Sequence, residues 1–157
     1  MKKIIFLSKI HAENHLDSVE PSKEIMQAYI RRSEESLSSA KALLKIGNLK
    51  DSVALSYYAM YHSVLAALFS IGIKSENHTA SIILLKEVFE IDNTKILRAK
   101  TERIDKQYYV DFTVKQDEAL NAVQTAEKFI AKMQDSIATL NEEKIKQYHK
   151  KATELFQ

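Results

Sequence analysis

The sequence predicts an all-α protein, an up-and-down bundle of four to five core helices with additional helical segments at both ends. The 157 residues include two glycines and one proline, whereas sheet proteins with many tight turns use more of both. Apolar residues recur three and four positions apart, and no alternation of polar and apolar residues is long enough to predict a strand. We place the bundle at residues 22–140. An N-terminal extension at 1–21, for which a helix is one alternative, precedes it, and an amphipathic helical extension at 141–157 follows.

Two long helices are predicted in the first half of the chain. Ser22 can cap the first helix, whose apolar positions continue toward Gly47. Asn48 begins the second helix, which is apolar on nearly all sides and ends at Gly72. A helix of this kind must be surrounded by other helices.

Further helices are predicted in the second half. A third helix follows the loop KSENH, and a fourth begins at Asp92 or Asn93. Thr113 and Gln116 have the spacing of a capping box, which predicts the start of a long fifth helix. Heptad spacing in that helix requires a partner helix, in the bundle or on another subunit. The heptad residues are Val123, Ala126, Ile130, Met133, Ile137 and Leu140.

Composition excludes several classes of function. The chain has no cysteine, so disulfides, thiol catalysis and cysteine-ligated zinc are excluded, and the net charge of +2 does not by itself call for nucleic acid. Residues 52–73 carry no Asp, Glu, Lys or Arg and are long enough to span a bilayer. A histidine, several tyrosines and serines along them favour a buried bundle helix. We expect a cytoplasmic protein without a signal peptide or membrane association.

Positive charge is concentrated in two segments. Residues 95–109 contain five basic and two acidic side chains, and residues 21–50 contain six basic and three acidic ones. If these two helices lie side by side, they form a positive face suited to phosphate. Lysines scattered over solvated helix faces are the alternative.

Three motifs define a resemblance. SYYAMYHSVLAALFSIGI, followed by ENHTASIILL and then by RIDKQYYVDF before the heptad helix, resembles the stand-alone HEPN proteins (higher eukaryote and prokaryote nucleotide-binding domain) over about residues 24–135. The run at residues 57–62, with His78 in the next helix, is the most specific part. The resemblance implies a helical bundle that commonly forms homodimers. Many members are RNA-cleaving toxins, and many are encoded beside a minimal nucleotidyltransferase that silences them.

The stretch RIDKQYYV, residues 103–110, contains the match to the family's catalytic signature, an arginine followed after four to six residues by a histidine. Arg103 matches the arginine, but Tyr108 stands where the histidine is expected, so nuclease activity does not follow from the resemblance. Arginine can hold phosphate through parallel hydrogen bonds, whereas tyrosine, with a pKa of about 10, is a poor base at neutral pH. HEPN toxins can be adenylylated on a tyrosine near this motif, which makes Tyr109 or Tyr108 the candidate acceptor. The alternative for Arg103 is a surface ion pair with Asp105 or a neighbouring carboxylate.

Four histidines are candidates for a functional or structural role. His62 lies on the buried helix, where a histidine bonded to a hydroxyl or carbonyl is the usual arrangement. His78 lies in the first turn of the third helix, where it can cap that helix or face a cleft. His11 and His15 have i, i+4 spacing, which can hold a metal, but no third ligand lies nearby. We expect no metal and no cofactor.

The expected function is a dimeric HEPN-type module that binds nucleic acid or a nucleotide, or acts in protein interaction, as the toxin-like partner of a separately encoded nucleotidyltransferase. Two alternatives are open. One is a metal-independent RNase toxin that uses Arg103 and Tyr108, and the other is a non-catalytic helical adaptor that binds through its heptad helix and C-terminal extension. Whether the protein is an enzyme is therefore open.

Overall fold

The computed structural model describes residues 1–108 and 113–157, without the side chains of residues 105–108. The described part is predominantly helical, which confirms the all-α prediction. The elements are α1 (Lys2–Ala12), β1 (Leu16–Ser18), α2 (Lys23–Lys45), α3 (Leu49–Ser70), β2 (Ile73–Ser75), α4 (His78–Phe89), α5 (Thr94–Tyr108), α6 (Gln116–Ala138) and α7 (Glu142–Phe156).

Helix α3 is the centre of the bundle. Most of its residues are buried, and Tyr57, Val64 and Leu68 have no accessible surface. Among the described residues α3 is the one helix with the length and hydropathy to cross a membrane, but 83% of its most apolar window is buried inside the protein. The prediction that this helix is surrounded by others is confirmed.

The helices around α3 position the rest of the core. Helices α2, α5 and α6 pack along α3, and α6 also contacts α2. The heptad residues of α6 from Val123 to Met133 are buried, and Ile137 and Leu140 pack against the core. The heptad helix therefore finds its partners within the same chain.

Local capping chemistry explains where two of the helices begin. The Ser22 hydroxyl accepts a hydrogen bond from the Ile25 amide at 3.1 Å, as predicted, and Asn141 caps α7 in the same way. The predicted capping box at Thr113 is wrong, because α6 begins at Gln116 with Lys115 in the N-cap position and no side-chain cap hydrogen bond. A capping side chain must directly precede the first helical residue, and Thr113 lies too far upstream.

Two three-residue strands were not predicted. β1 and β2 pair antiparallel, with Leu16 opposite Ser75 and Ser18 opposite Ile73. Gly72 leads into β2 with a φ of +80°, and a Cβ at this position would collide with the carbonyl oxygen of Val19. The crossing of the two chain segments therefore requires glycine here.

The terminal helices cover one end of the bundle. Helices α1 and α7 pack against each other and against α4. His149 on α7 lies with Nδ1 2.8 Å from the Ile71 carbonyl oxygen and Nε2 3.0 Å from the Ser18 hydroxyl oxygen. Because a carbonyl can only accept, Nδ1 carries the proton and Ser18 donates to Nε2. These two hydrogen bonds connect α7 to β1 and to the residue before Gly72. The predicted domain boundaries at residues 21 and 140 stay predictions.

Candidate functional site

Arg103 lies on α5 against two tyrosines of α3. Its side chain is half-buried, and Nη1 donates a hydrogen bond to the Tyr58 hydroxyl oxygen at 3.0 Å. The guanidinium carbon lies 5.4 Å from the ring centroid of Tyr57 and 5.3 Å from that of Tyr58. A cation within about 6 Å of an aromatic ring face is attracted by the ring's charge distribution. The two rings therefore form a support that holds the guanidinium at one position on α3.

His78 joins the same group of side chains from α4. The Tyr57 hydroxyl lies 2.7 Å from His78 Nδ1, which is a hydrogen bond, and the Tyr61 ring meets the imidazole edge-on at 3.8 Å between centroids. The Tyr61 hydroxyl is itself 3.0 Å from Ser81 Oγ. Asn77 caps α4 by accepting from the Ala80 amide, and this cap fixes the helix start from which His78 projects. The tyrosines of α3 thus connect Arg103 to His78.

His62 lies one turn beyond Tyr58 on α3. Its ring stacks with that of Tyr58 at 6.2 Å between centroids, and the ring of Tyr29 on α2 lies tilted against it at 6.0 Å. Ser36 Oγ lies 3.5 Å from His62 Nδ1. We call Tyr57, Tyr58, His62, His78 and Arg103 the Arg103 cluster.

Both histidines of the cluster are held in the neutral form. Burial lowers the pKa of His78 to about 4, with further lowering by the positive charges of Arg103 and Lys100. Burial also lowers the pKa of His62 to about 4, and electrostatic interactions with Arg32 and, to a smaller extent, His78 lower it further. Basic residues of both α2 and α5 therefore act electrostatically on the histidines of the cluster.

Tyr57 of the cluster and the neighbouring Tyr61 are neutral phenols. Burial, together with the neighbouring Tyr61, raises the pKa of Tyr57 far above its ordinary value. Burial raises the pKa of Tyr61 to about 12, although the hydrogen bond with Ser81 acts in the opposite direction. These hydroxyls can orient partners by hydrogen bonding but do not carry charge at neutral pH.

The structure brings together three of the residues predicted for the site, which are Arg103, His78 and His62. Asp105 and Tyr108 lie on the last turns of α5, and their side chains are outside the described part of the molecule. Tyr109 lies outside the described residues altogether. The roles assigned to these three residues stay predictions.

Two residues that contact Arg103 were missing from the predicted site. Tyr57 and Tyr58 stood in the most specific motif of the sequence, but their pairing with an arginine 45 residues later was not anticipated. Their spacing from Tyr61 and His62 was the available signal, because residues four apart on a helix share a face. The motif at residues 57–62 therefore contains the side chains that contact Arg103.

The N-terminal histidine pair does not form a metal site in the described residues, where no group of three His, Cys, Asp or Glu side chains could hold a metal ion. Helix α1 ends at Ala12, so His15 does not continue the helical face of His11, contrary to the i, i+4 interpretation. His11 Nδ1 lies 2.7 Å from the Leu16 carbonyl oxygen, and His15 faces Glu76 at 3.4 Å. The two imidazoles therefore make separate local contacts.

Fold and cluster together define a class of helical bundle with a half-buried arginine held on the tyrosines of its central helix. The HEPN domain model matches residues 26–137, and the chain belongs to the HEPN family. It is 28% identical over 118 residues to a "UPF0332 protein" of Archaeoglobus fulgidus, covering 71% of this chain and 94% of that protein. It is 29% identical over 122 residues to a protein of Methanocaldococcus jannaschii named "Putative toxin", covering 73% and 90% respectively. A "UPF0332 protein" of Pyrococcus horikoshii is 41% identical over 59 residues, which is 38% of this chain and 42% of that one.

Proposed function

We propose that this HEPN protein is a dimeric RNA-binding module and the toxin-like partner of a separately encoded nucleotidyltransferase. The observation that carries the proposal is the position of Arg103, held half-buried on Tyr57 and Tyr58 within electrostatic range of His78. A guanidinium in a fixed position is the side chain best suited to hold a phosphodiester. The charges of Arg32 and Lys100 near the cluster add to the attraction for phosphate.

The toxin-like role and the dimer rest on different support. The name of the Methanocaldococcus jannaschii relative favours the toxin-like role. Exposed apolar side chains on the helix that carries Arg103 favour pairing, because Leu97 and Ile104 lie seven residues apart on one face of α5 and are 42% and 36% exposed. A dimer that covers this face would bring two copies of Arg103 toward the same interface region.

RNA binding tests the proposal directly. We expect a fluorescein-labelled single-stranded RNA to bind the full chain, and Arg103→Ala to weaken that binding at least tenfold, because one buried charge-assisted contact contributes about 1.5–3 kcal/mol. Arg31→Ala is the matched control, since Arg31 is an exposed guanidinium on α2. Equal affinities of the two variants would contradict an RNA site at Arg103.

The partner and the dimer need separate measurements. Sedimentation equilibrium of the purified chain is expected to give a dimer, and Leu97→Glu with Ile104→Glu is expected to shift it to monomer. Co-purification of this chain with the product of a neighbouring nucleotidyltransferase gene tests the partner. The Arg31→Ala variant, which is expected to fold normally, should co-purify as well as the unaltered chain. A monomer at every concentration, or no co-purification, would remove the corresponding part of the proposal.

A second candidate function is a metal-independent endoribonuclease, which the placement of His78 beside Tyr57 favours. In this reaction a base takes the proton of the 2′-hydroxyl, the 2′-oxygen attacks phosphorus, and the bond to the 5′-oxygen breaks as that oxygen gains a proton. A 2′,3′-cyclic phosphate and a free 5′-hydroxyl result. Arg103 would stabilise the charge on the phosphorane, and His78, hydrogen-bonded to Tyr57, is an imidazole of the cluster that could exchange protons.

Cleavage assays in EDTA separate this candidate from binding alone. The expected result for an enzyme is cyclic-phosphate product from the unaltered chain and at least a hundredfold loss in Arg103→Ala and in His78→Gln. His15→Gln is the control, because His15 is exposed and its side chain contacts Glu76 rather than a member of the Arg103 cluster. RNA binding without cleavage would support the proposed binding module and contradict the nuclease function.

A further inference from the structure

Helices α5 and α6 both pack on α3 and leave two hollows between them. One hollow has a volume of about 230 Å³ and the other about 180 Å³. Lys95 and Thr125 line both hollows, so the two form one continuous groove. We call this the α5–α6 groove, with Lys95 and Arg98 on its α5 side, Thr125, Lys128 and Lys132 on its α6 side, and Tyr57 of α3 at its bottom.

Three lysines give this groove its charge. Lys95, Lys128 and Lys132 are exposed, and none of them has a carboxylate partner within the part of the chain that the structure describes. Their ammonium groups therefore face solvent at the rim of a concave surface, although the charge of Lys132 also acts on Asp92. Such an arrangement concentrates positive potential where an anion can approach.

The carboxylates near the groove are already engaged. Glu102 pairs with Arg98 at 3.3 Å on the same helix. Asp92 accepts hydrogen bonds from the amide and the hydroxyl of Thr94 at the start of α5. Both acids line the groove, and Asp92 keeps its charge, which the hydrogen bonds from Thr94 and the positive charge of Lys132 stabilise. The lining therefore has four cations, Lys95, Arg98, Lys128 and Lys132, against two carboxylates.

The groove and the Arg103 cluster share the buried residue Tyr57. Tyr57 lines the groove and also carries the Arg103 guanidinium 5.4 Å above its ring centroid. Along α5 Lys95 precedes Arg103 by eight residues, which is roughly 12 Å of helix, and Lys128 and Lys132 are about 6 Å apart along α6. The basic side chains of the groove and of the cluster are therefore spread over a distance longer than one phosphate group.

We propose that the α5–α6 groove binds a linear phosphate chain, the backbone of a single-stranded RNA whose neighbouring phosphate is held at Arg103. The inference rests on the proposed function and names the path that the strand takes over the surface. The occupant is a single strand because hollows of about 230 and 180 Å³ between two adjacent helices cannot admit a duplex. Recognition is independent of sequence, since the three ammonium groups bind phosphates rather than base edges.

The salt dependence of binding tests the groove. We expect Lys95→Gln, Lys128→Gln and Lys132→Gln together to reduce the slope of log K against log salt concentration by about 2, since each phosphate contact to a single strand contributes roughly 0.7. That change corresponds to about a hundredfold weaker binding at 0.1 M salt. The matched control is Lys144→Gln, Lys146→Gln and Lys150→Gln, which removes three exposed lysines from α7. The control is expected to keep the original slope.

Inorganic polyphosphate, which has no bases, is the second probe and separates the two proposals. If the unaltered chain binds RNA and the groove variant keeps the full slope, the groove proposal is overturned while RNA binding stands. If polyphosphate binds with a lysine-dependent slope but RNA does not, the groove stands as a phosphate-chain site and the proposed function fails. If neither probe binds, both proposals are wrong.

Discussion

The contact between Arg103 and Tyr58 can be isolated by a double-mutant cycle. Tyr58→Phe removes the hydroxyl that accepts from Nη1 at 3.0 Å but keeps the ring 5.3 Å from the guanidinium carbon. A hydrogen bond from a charged donor contributes about 1.5–3 kcal/mol when buried, and because both side chains are half-buried we reduce this to about 1 kcal/mol. The cycle is needed because Arg103 has further interactions, which the single variant Arg103→Gln would also remove.

The assay is equilibrium unfolding in urea of the original chain, the two single variants and the double variant. The coupling energy is the part of the double variant's loss of unfolding free energy that the two single losses do not explain. We expect a coupling of about 1 kcal/mol for Tyr58→Phe with Arg103→Gln. Tyr148→Phe with Arg103→Gln is the control cycle. Tyr148 of α7 packs on Phe89 of α4 and, among the described residues, has no ring contact with the Arg103 cluster, so the two losses are expected to be additive.

A coupling below about 0.3 kcal/mol, within the usual error of additivity, would refute the reasoning. It would mean that the hydroxyl does not fix the guanidinium in solution. The arginine would then be an ordinary mobile surface cation, and Tyr58→Phe would leave RNA binding unchanged. A measurable coupling predicts instead that Tyr58→Phe weakens RNA binding through a misplaced arginine, with the number of positive charges unchanged.

Two further predictions concern stability. Gly72→Ala is expected to lower the free energy of unfolding by about 3 kcal/mol or more, because a collision with the Val19 carbonyl oxygen adds to a positive-φ strain of about 1–2 kcal/mol. Gly47→Ala is the control, since Gly47 has a φ of +85° in open space and its variant should show the strain alone. Urea unfolding of the two variants measures the difference, and equal losses would contradict the close approach. The depressed pKa values of His78 and His62, both about 4, should make the folded state lose stability as pH falls from about 6.5 to about 4, because there the unfolded chain binds protons that the folded chain does not. Since both rings are half-buried, we expect each histidine to contribute about 1 kcal/mol of this loss. His78→Gln and His62→Gln should therefore each flatten the profile of unfolding free energy against pH in that window. An unchanged profile in either variant would rule out this interpretation for that histidine.

The fold was predictable where its determinants are local. Ser22 and Asn141 begin helices because each side chain reaches an amide three residues later, and this information lies in a few adjacent residues. The apolar circumference of α3 likewise requires burial. The two short strands were not predictable, since Leu16 pairs with Ser75 across 59 residues and three-residue segments have no readable period.

The site was predictable only in part for the same reason. Arg103, His78 and His62 could be proposed from motifs, but the residue that accepts a hydrogen bond from Arg103 depends on how α5 crosses α3. That crossing puts the guanidinium on Tyr58 and Tyr57, which a spacing rule along the chain cannot show. Tyr108 was placed in the site by family spacing alone, and its role stays a prediction.

For the candidate nuclease function, the cluster offers a possible route for proton transfer in a HEPN chain that has Tyr108 in the signature position. His78 has a low pKa first because of burial, and then because the positive charges of Arg103 and Lys100 oppose its protonation. A phosphate held at Arg103 would offset those charges, and we infer that it would remove this smaller part of the lowering of the His78 pKa, whereas the part due to burial would stay. An imidazole that is too weak a base in the empty site would then become a better one when the phosphodiester is bound. Substrate binding and proton transfer would be coupled through the arginine itself, so the missing signature histidine need not be replaced by another residue of the same helix.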